Sequence, residues 1–97
     1  MQAETPITEM DFQQTITSLA KLRGWMVYHT YDSRKGTPGF PDLVLVRGER
    51  ILYREVKTQI GKLSGSQRAW LDGLEQGGAN VAIWRPSDWD EIDAALR

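Results

Sequence analysis

Asp42, Glu55 and Lys57 are the residues of this chain whose types and spacing can do chemistry. They lie at the ends of Gly39-Phe-Pro-Asp-Leu-Val-Leu-Val-Arg-Gly-Glu-Arg-Ile-Leu-Tyr-Arg-Glu-Val-Lys57, in which two runs rich in Val, Leu, Ile and Tyr flank Gly48-Glu49. A glycine leading a two-residue loop suits a type II′ turn, so the stretch reads as a β-hairpin. That turn sets the register: Arg47 faces Arg50, Val44 faces Tyr53, and Asp42 faces Glu55. Facing residues of an antiparallel pair have Cβ atoms roughly 4.5 to 5.5 Å apart, where like charges repel. Strand alternation sends Lys57 to the same face as the two acids and Val56 into the opposite layer.

Two carboxylates and an ammonium on one face admit three chemistries. One is a surface salt-bridge cluster. Another is a carboxyl dyad sharing a proton for acid-base work. The third is a site for a hard divalent cation, and it fits the donor set best: Mg²⁺ takes one or two carboxylates, fills its other positions with water and phosphate oxygens, and acidifies a bound water. Lys57 then holds or deprotonates the attacking water and offsets charge on a phosphate.

The elements that must position these groups follow from the pattern along the chain. Residues 1–6 read as a loose segment. A helix is expected from Thr8, a fair N-cap, to Arg23, with Gly24 where a C′ glycine belongs and Phe12, Ile16, Leu19 and Ala20 on one stripe. Glu9 falls on the edge of that stripe. It either favours the helix dipole or reaches toward the carboxylates as an outer ligand or water positioner; Gln13, one turn on, is a weaker candidate. Residues 25–31 read as a strand, in which His29 is structural, exposed or a nucleic-acid contact. The Gly- and Pro-punctuated loop 32–39 then carries Arg34 and Lys35 to the mouth of the hairpin, where backbone phosphates are natural partners.

After Lys57 a helix is expected from Gly65 to Gln76, closed by Gly77-Gly78. Ser64 and Gln67 match a capping box, and Gln67 also shares a face with Trp70, Leu71 and Leu74, which aims it at the sheet near Glu55. Residues 80–85 give a fourth strand, joined to the third by a helix and therefore parallel to it. Ser87 is expected to cap a last helix reaching Leu96, with Trp89, Ile92 and Leu96 as its apolar stripe. The order is helix, three-strand meander, helix, strand, helix, an α/β layer structure on a mixed four-stranded sheet.

Composition narrows the function classes. With 97 residues the chain is one small domain, and with no cysteine and a single histidine it has no disulfide framework, zinc finger or thiol nucleophile. No apolar run approaches a membrane span and no basic-then-apolar N-terminal pattern marks a signal peptide, so a cytoplasmic compartment is expected. The net charge of −1 hides a segregation: residues 21–70 hold ten basic and four acidic side chains, while both flanks are acidic. The basic middle contains the candidate site, and Lys62 and Arg68 join Arg34, Lys35 and His29 as candidate nucleic-acid contacts.

The element order, Gly-Phe-Pro-Asp42, Glu55-Val-Lys57 and Leu-Ser-Gly-Ser-Gln67-Arg-Ala-Trp-Leu together resemble the VRR-NUC domain of the PD-(D/E)xK nuclease superfamily, particularly its small stand-alone phage and bacterial versions, from Glu9 to Trp89. The resemblance implies one nuclease domain over residues 1–97. It implies a DNA endonuclease in which Asp42 and Glu55, with the Val56 carbonyl, bind Mg²⁺ or Mn²⁺, Lys57 is catalytic, and Gln67 and Glu9 complete the site. It further implies a homodimer selective for branched DNA such as Holliday junctions. One carboxylate pair cuts one strand at a time, so symmetric cutting needs two copies, and four tryptophans in a small domain suggest an interface that buries Trp84, Trp89 or the first helix. A restriction- or repair-type nuclease acting on duplex or flap DNA, and a non-catalytic DNA-binding module on the same fold, are the alternatives.

Overall fold

The computed structural model describes residues 6–30 and 36–97. Helix α1 (Glu9–Leu22) starts as its sequence dictates: the Thr8 hydroxyl accepts from the Asp11 N–H at 3.1 Å. It ends at Gly24, whose φ of +86° lets the Trp25 N–H return to the Ala20 carbonyl. Strand β1 (Met26–His29) follows, shorter than the pattern suggested; Tyr31 lies outside the described residues.

Strands β2 (Leu43–Arg47) and β3 (Arg50–Val56) form the hairpin in the expected register, with Arg47 opposite Arg50, Val44 opposite Tyr53 and Leu43 opposite Arg54. Gly48 has φ +60° and no described non-glycine residue has positive φ, the pattern of a turn with only its first central residue left-handed. Helix α2 (Gly65–Gln76) crosses over to strand β4 (Asn80–Trp84), which pairs parallel to β3, and the sheet order is β1-β2-β3-β4. The last helix departs from expectation. Ser87 does not cap it, because Pro86–Asp88 form a 3₁₀ turn in which Asp88 Oδ2 accepts from the Arg85 N–H, and α3 (Trp89–Leu96) begins only after it.

The sheet separates two layers. On one face α1 and α3 close the core with Phe12, Ile16, Ala20, Ile92 and Leu96 over Leu43, Leu45, Leu52, Val56 and Trp84. Each fully buried aliphatic side chain there contributes about 1.5–3 kcal/mol. On the other face α2 sits over Phe40, whose ring meets Trp70 edge-on at 5.2 Å and Tyr53 at 6.1 Å. No described helix is long and apolar enough to cross a membrane.

Most of the arginines in the basic middle are structural. Arg47 donates to the carbonyls of Arg23, Leu96 and Arg97, Arg50 to that of Ala95, and Arg23 to that of Asp93, so three guanidinium groups close the C-terminus of α3. Arg47 and Arg50 both stack on Trp25, at 4.7 and 4.8 Å from the ring centre. Arg54, buried against Trp84, donates to the Tyr53 and Asn80 carbonyls and to Asn80 Oδ1, and burial pushes its guanidinium down to about 10. Among the described residues, the cations left for an external anion on this middle stretch are largely lysines.

Candidate active site

The hairpin register carries Asp42 to Glu55. Asp42 stands just before β2, where its carbonyl accepts from the Thr30 N–H at 2.8 Å and its Oδ2 accepts from the Val56 N–H at 2.9 Å. Its carboxylate is thereby fixed across the end of β3. Glu55 is 1% exposed, sealed between the hairpin and α2. Its Oε2 accepts from the Gln67 amide at 3.2 Å, whereas its Oε1 is buried with no hydrogen-bond partner.

Gln67 holds two positions at once. Its Oε1 accepts from the Ser64 N–H at 2.9 Å while its own N–H donates to the Ser64 hydroxyl, which completes the capping box of α2. The Nε2 is left to point at Glu55. The residue therefore begins the helix with one end of its amide and orients a carboxylate with the other.

Electrostatics sets this cluster apart from a surface ion pair. Among the described residues neither Asp42 nor Glu55 forms an ion pair, Lys57 included, and burial followed by the adjacent Asp42 carboxylate raises Glu55 far above the usual carboxylate range. The positive field of Lys57 opposes that rise and the charge of Glu9 adds to it. Without a cation the pair is accommodated by keeping a proton on Glu55 beside Asp42, and no protein donor reaches Glu55 Oε1. A hard divalent cation held by Asp42 and Glu55 would supply positive charge in place of that proton.

The other candidates fall in different places. Lys57 continues β3, half-buried, with its N–H bonded to the Trp84 carbonyl at 3.0 Å. Glu9 is exposed at the start of α1. Among the described residues no three His, Cys, Asp or Glu side chains gather closely enough to hold a metal, so the cluster itself is Asp42 and Glu55. Lys62 and Arg68 are exposed on either side of the α2 N-terminus, and His29 is exposed at the end of β1, one pair along from Asp42. Gln13 lines a groove of about 610 Å³ with Thr17, Lys21 and His29. Arg34 and Lys35 lie outside the described residues. Trp84 is 1% exposed inside the monomer, which removes it as an interface residue, while Trp89 is 37% exposed.

Sequence reasoning missed Gly39. Its φ is +97°, and a Cβ there would stand 2.4 Å from the Ser66 carbonyl and 2.8 Å from the Gln67 nitrogen. The signal was present as a glycine opening the Phe-Pro-Asp run, but its contact is with a helix far along the chain.

A family profile described as the VRR-NUC domain matches residues 5–88. Two solved structures share the fold: one titled "VRR_NUC domain protein", 17% identical with a TM-score of 0.74 over 95% of this chain and 87% of the other, and one titled "VRR_NUC domain", 21% identical with a TM-score of 0.73 over 91% and 92%. No curated protein sequence matches significantly.

Proposed function

We propose that this chain, which belongs to the VRR-NUC domain family and so has a nuclease-type, DNA-acting fold, is an endonuclease that hydrolyses DNA phosphodiester bonds with Mg²⁺ or Mn²⁺ held by Asp42 and Glu55. The observation that carries the reading is the buried Asp42–Glu55 couple, without an ion pair among the described residues and with Glu55 Oε1 unsatisfied. A divalent ion held there would supply Lewis acidity to the phosphate and make a bound water easier to deprotonate.

The chain's own groups divide the remaining work. Asp42 is held by the Val56 N–H and Glu55 by the Gln67 amide, so both carboxylates are oriented before any ligand arrives. The Val56 carbonyl is a further candidate ligand, and Glu9 is a candidate outer-sphere acid. Lys57, whose charge acts on Glu55, is assigned to hold the attacking water and to offset the charge that builds up on the phosphate oxygens. Lys62 and Arg68, with Arg34, Lys35 and His29, are assigned to the DNA backbone.

Within this reading the substrate is branched DNA and the active form a homodimer. Support for a second copy comes from the β1 side of the sheet rather than from the tryptophans: Met26, Tyr28 and Ile51 are 73, 61 and 47% exposed, and Met26 and Ile51 flank Val46 in neighbouring strands. The test is cleavage of labelled single-stranded, duplex, flap and four-way-junction DNA with Mg²⁺, Mn²⁺ or EDTA, alongside light scattering. Metal-dependent cutting that favours the branched substrates, by a dimer, is expected; a monomer that cuts junction and duplex equally contradicts the dimeric, branch-selective form.

A further inference from the structure

The segment after Lys57 is a rigid turn with an apolar side chain at its corner. Thr58, Gln59, Ile60 and Gly61 form a β-turn in which the Gly61 N–H donates to the Thr58 carbonyl at 3.3 Å. One nitrogen of Arg85, Nη1, reaches the carbonyls of Thr58 at 2.6 Å, Gly61 at 2.8 Å and Gln59 at 3.4 Å, and the Ser87 N–H donates to Gln59 Oε1 at 3.0 Å. Arg85 directly follows β4, whose last residue pairs with Val56. The turn is thus tied to the sheet from which it emerges.

Ile60 stands at the corner of this turn with 90% of its surface exposed. An isoleucine there covers nothing in the fold, and the Arg85 bonds keep the turn from laying it down on the surface. The turn also rests against the lysine of the candidate site: a Cβ at Gly61 would lie 3.5 Å from Lys57 Cδ and 2.9 Å from Thr58 Oγ1. Between Val56 and Leu71 the chain carries Lys57, Lys62 and Arg68 and no acid. A polyanion is therefore the partner that this segment favours. Asp88, the acid next to the turn's anchors, is taken up by the Arg85 N–H, and an apolar side chain fixed in a basic segment is the kind that proteins insert between base steps of a deformed duplex.

We propose that Ile60 is a wedge that enters an opened base step beside the scissile phosphate, so that branch selectivity resides in the 58–61 turn and not in the carboxylate cluster. The proposal rests on the nuclease reading above and deepens it. In an intact stack the side chain has no slot to enter; at a branch the stack is already interrupted and entry is cheap.

The test uses the full chain with Asp42→Asn to prevent cutting, and a four-way junction with 2-aminopurine at the branch step. Addition of protein should raise the fluorescence as the base unstacks. Ile60→Ala should lose most of that rise and Ile60→Leu should keep it, while thermal unfolding stays at the parent temperature because Ile60 packs on nothing. In chains with Asp42 intact, Ile60→Ala should lower the ratio of junction to linear cleavage by about tenfold, within the cost of unstacking one base step. An unchanged 2-aminopurine signal together with an unchanged ratio overturns the wedge, as does an Ile60→Ala effect confined to dimer dissociation. If the parent chain cuts no DNA with Mg²⁺ or Mn²⁺, the nuclease reading fails and takes the wedge with it; if it cuts and only the ratio stays fixed, the wedge alone fails.

Discussion

The backbones of Gly39 and Gln67 meet with no room for a side chain between them. A Cβ on Gly39 would come within 2.8 Å of the Gln67 nitrogen, in a backbone conformation at φ +97° that L side chains rarely adopt. This contact locks the loop that carries Asp42 to the helix start that carries Gln67, and Gln67 in turn holds Glu55 at 3.2 Å.

Gly39→Ala should therefore cost about 2–4 kcal/mol of stability, from left-handed strain plus overpacking, and should reduce cleavage even at temperatures where the chain remains folded. Urea unfolding and cleavage assays on the same preparation check it. Gln67→Glu separates the two roles of that residue: a glutamate can still close the capping box, so the helix should persist, but a third carboxylate beside Glu55 should abolish cutting.

Glu55 gives the metal-free protein a distinctive pH dependence. Its folded-state pKa is raised from 4.5 to about 9, first by burial and then by Asp42. Between those values the folded chain keeps a proton that the unfolded chain has released, so stability falls as pH rises through this window and levels off above it. Urea unfolding in EDTA at pH 5 and pH 8.5 should show the fall, and Glu55→Gln should remove most of it. Mg²⁺ must displace the same proton, so the Mg²⁺-dependent gain in Tm should increase with pH across the window.

Lys57→Ala should lower turnover about 10²- to 10⁴-fold, the range for a group acting on proton and charge in the transition state. The rise in Tm with Mg²⁺ should survive, because the carboxylates are intact. Cleavage near the wild-type rate would remove Lys57 from the chemistry.

The charge of the middle segment should divide by residue type. Arg47→Met should cost about 2 kcal/mol of stability through its bonds to carbonyls at the end of α3, yet leave the salt dependence of DNA binding unchanged. Lys62→Ala and Arg68→Ala should do the reverse, each reducing the slope of log affinity against log salt by about 1. Equilibrium binding at several salt concentrations, paired with unfolding curves, distinguishes the two groups.

These contrasts mark where the sequence was legible. The hairpin, its register, the Thr8 cap and the Ser64–Gln67 capping box all depend on residues a few positions apart, and the Asp42–Glu55 pairing followed from the turn alone. The roles of the arginines did not follow, because Arg23, Arg47 and Arg50 close α3 from between 45 and 70 residues away and nothing local distinguishes them from solvated cations. Trp84 read as a possible interface residue for the same reason: only the assembled sheet, with α1 and α3 on it, shows that the monomer already buries it. Ser87 looked like a helix cap, but the Arg85 N–H is bonded to Asp88 and the chain makes a 3₁₀ turn first.

The central claim is that the buried Asp42–Glu55 pair holds the divalent ion on which cleavage depends. Titration of Mn²⁺ into the purified chain, followed by calorimetry and by cleavage of a labelled junction at the same concentrations, tests it most directly. One saturable Mn²⁺ site whose midpoint coincides with the onset of cleavage is predicted, with both lost in Asp42→Asn and in Glu55→Gln. Cleavage that persists in EDTA, or Mn²⁺ binding that is unchanged in Glu55→Gln, would contradict it.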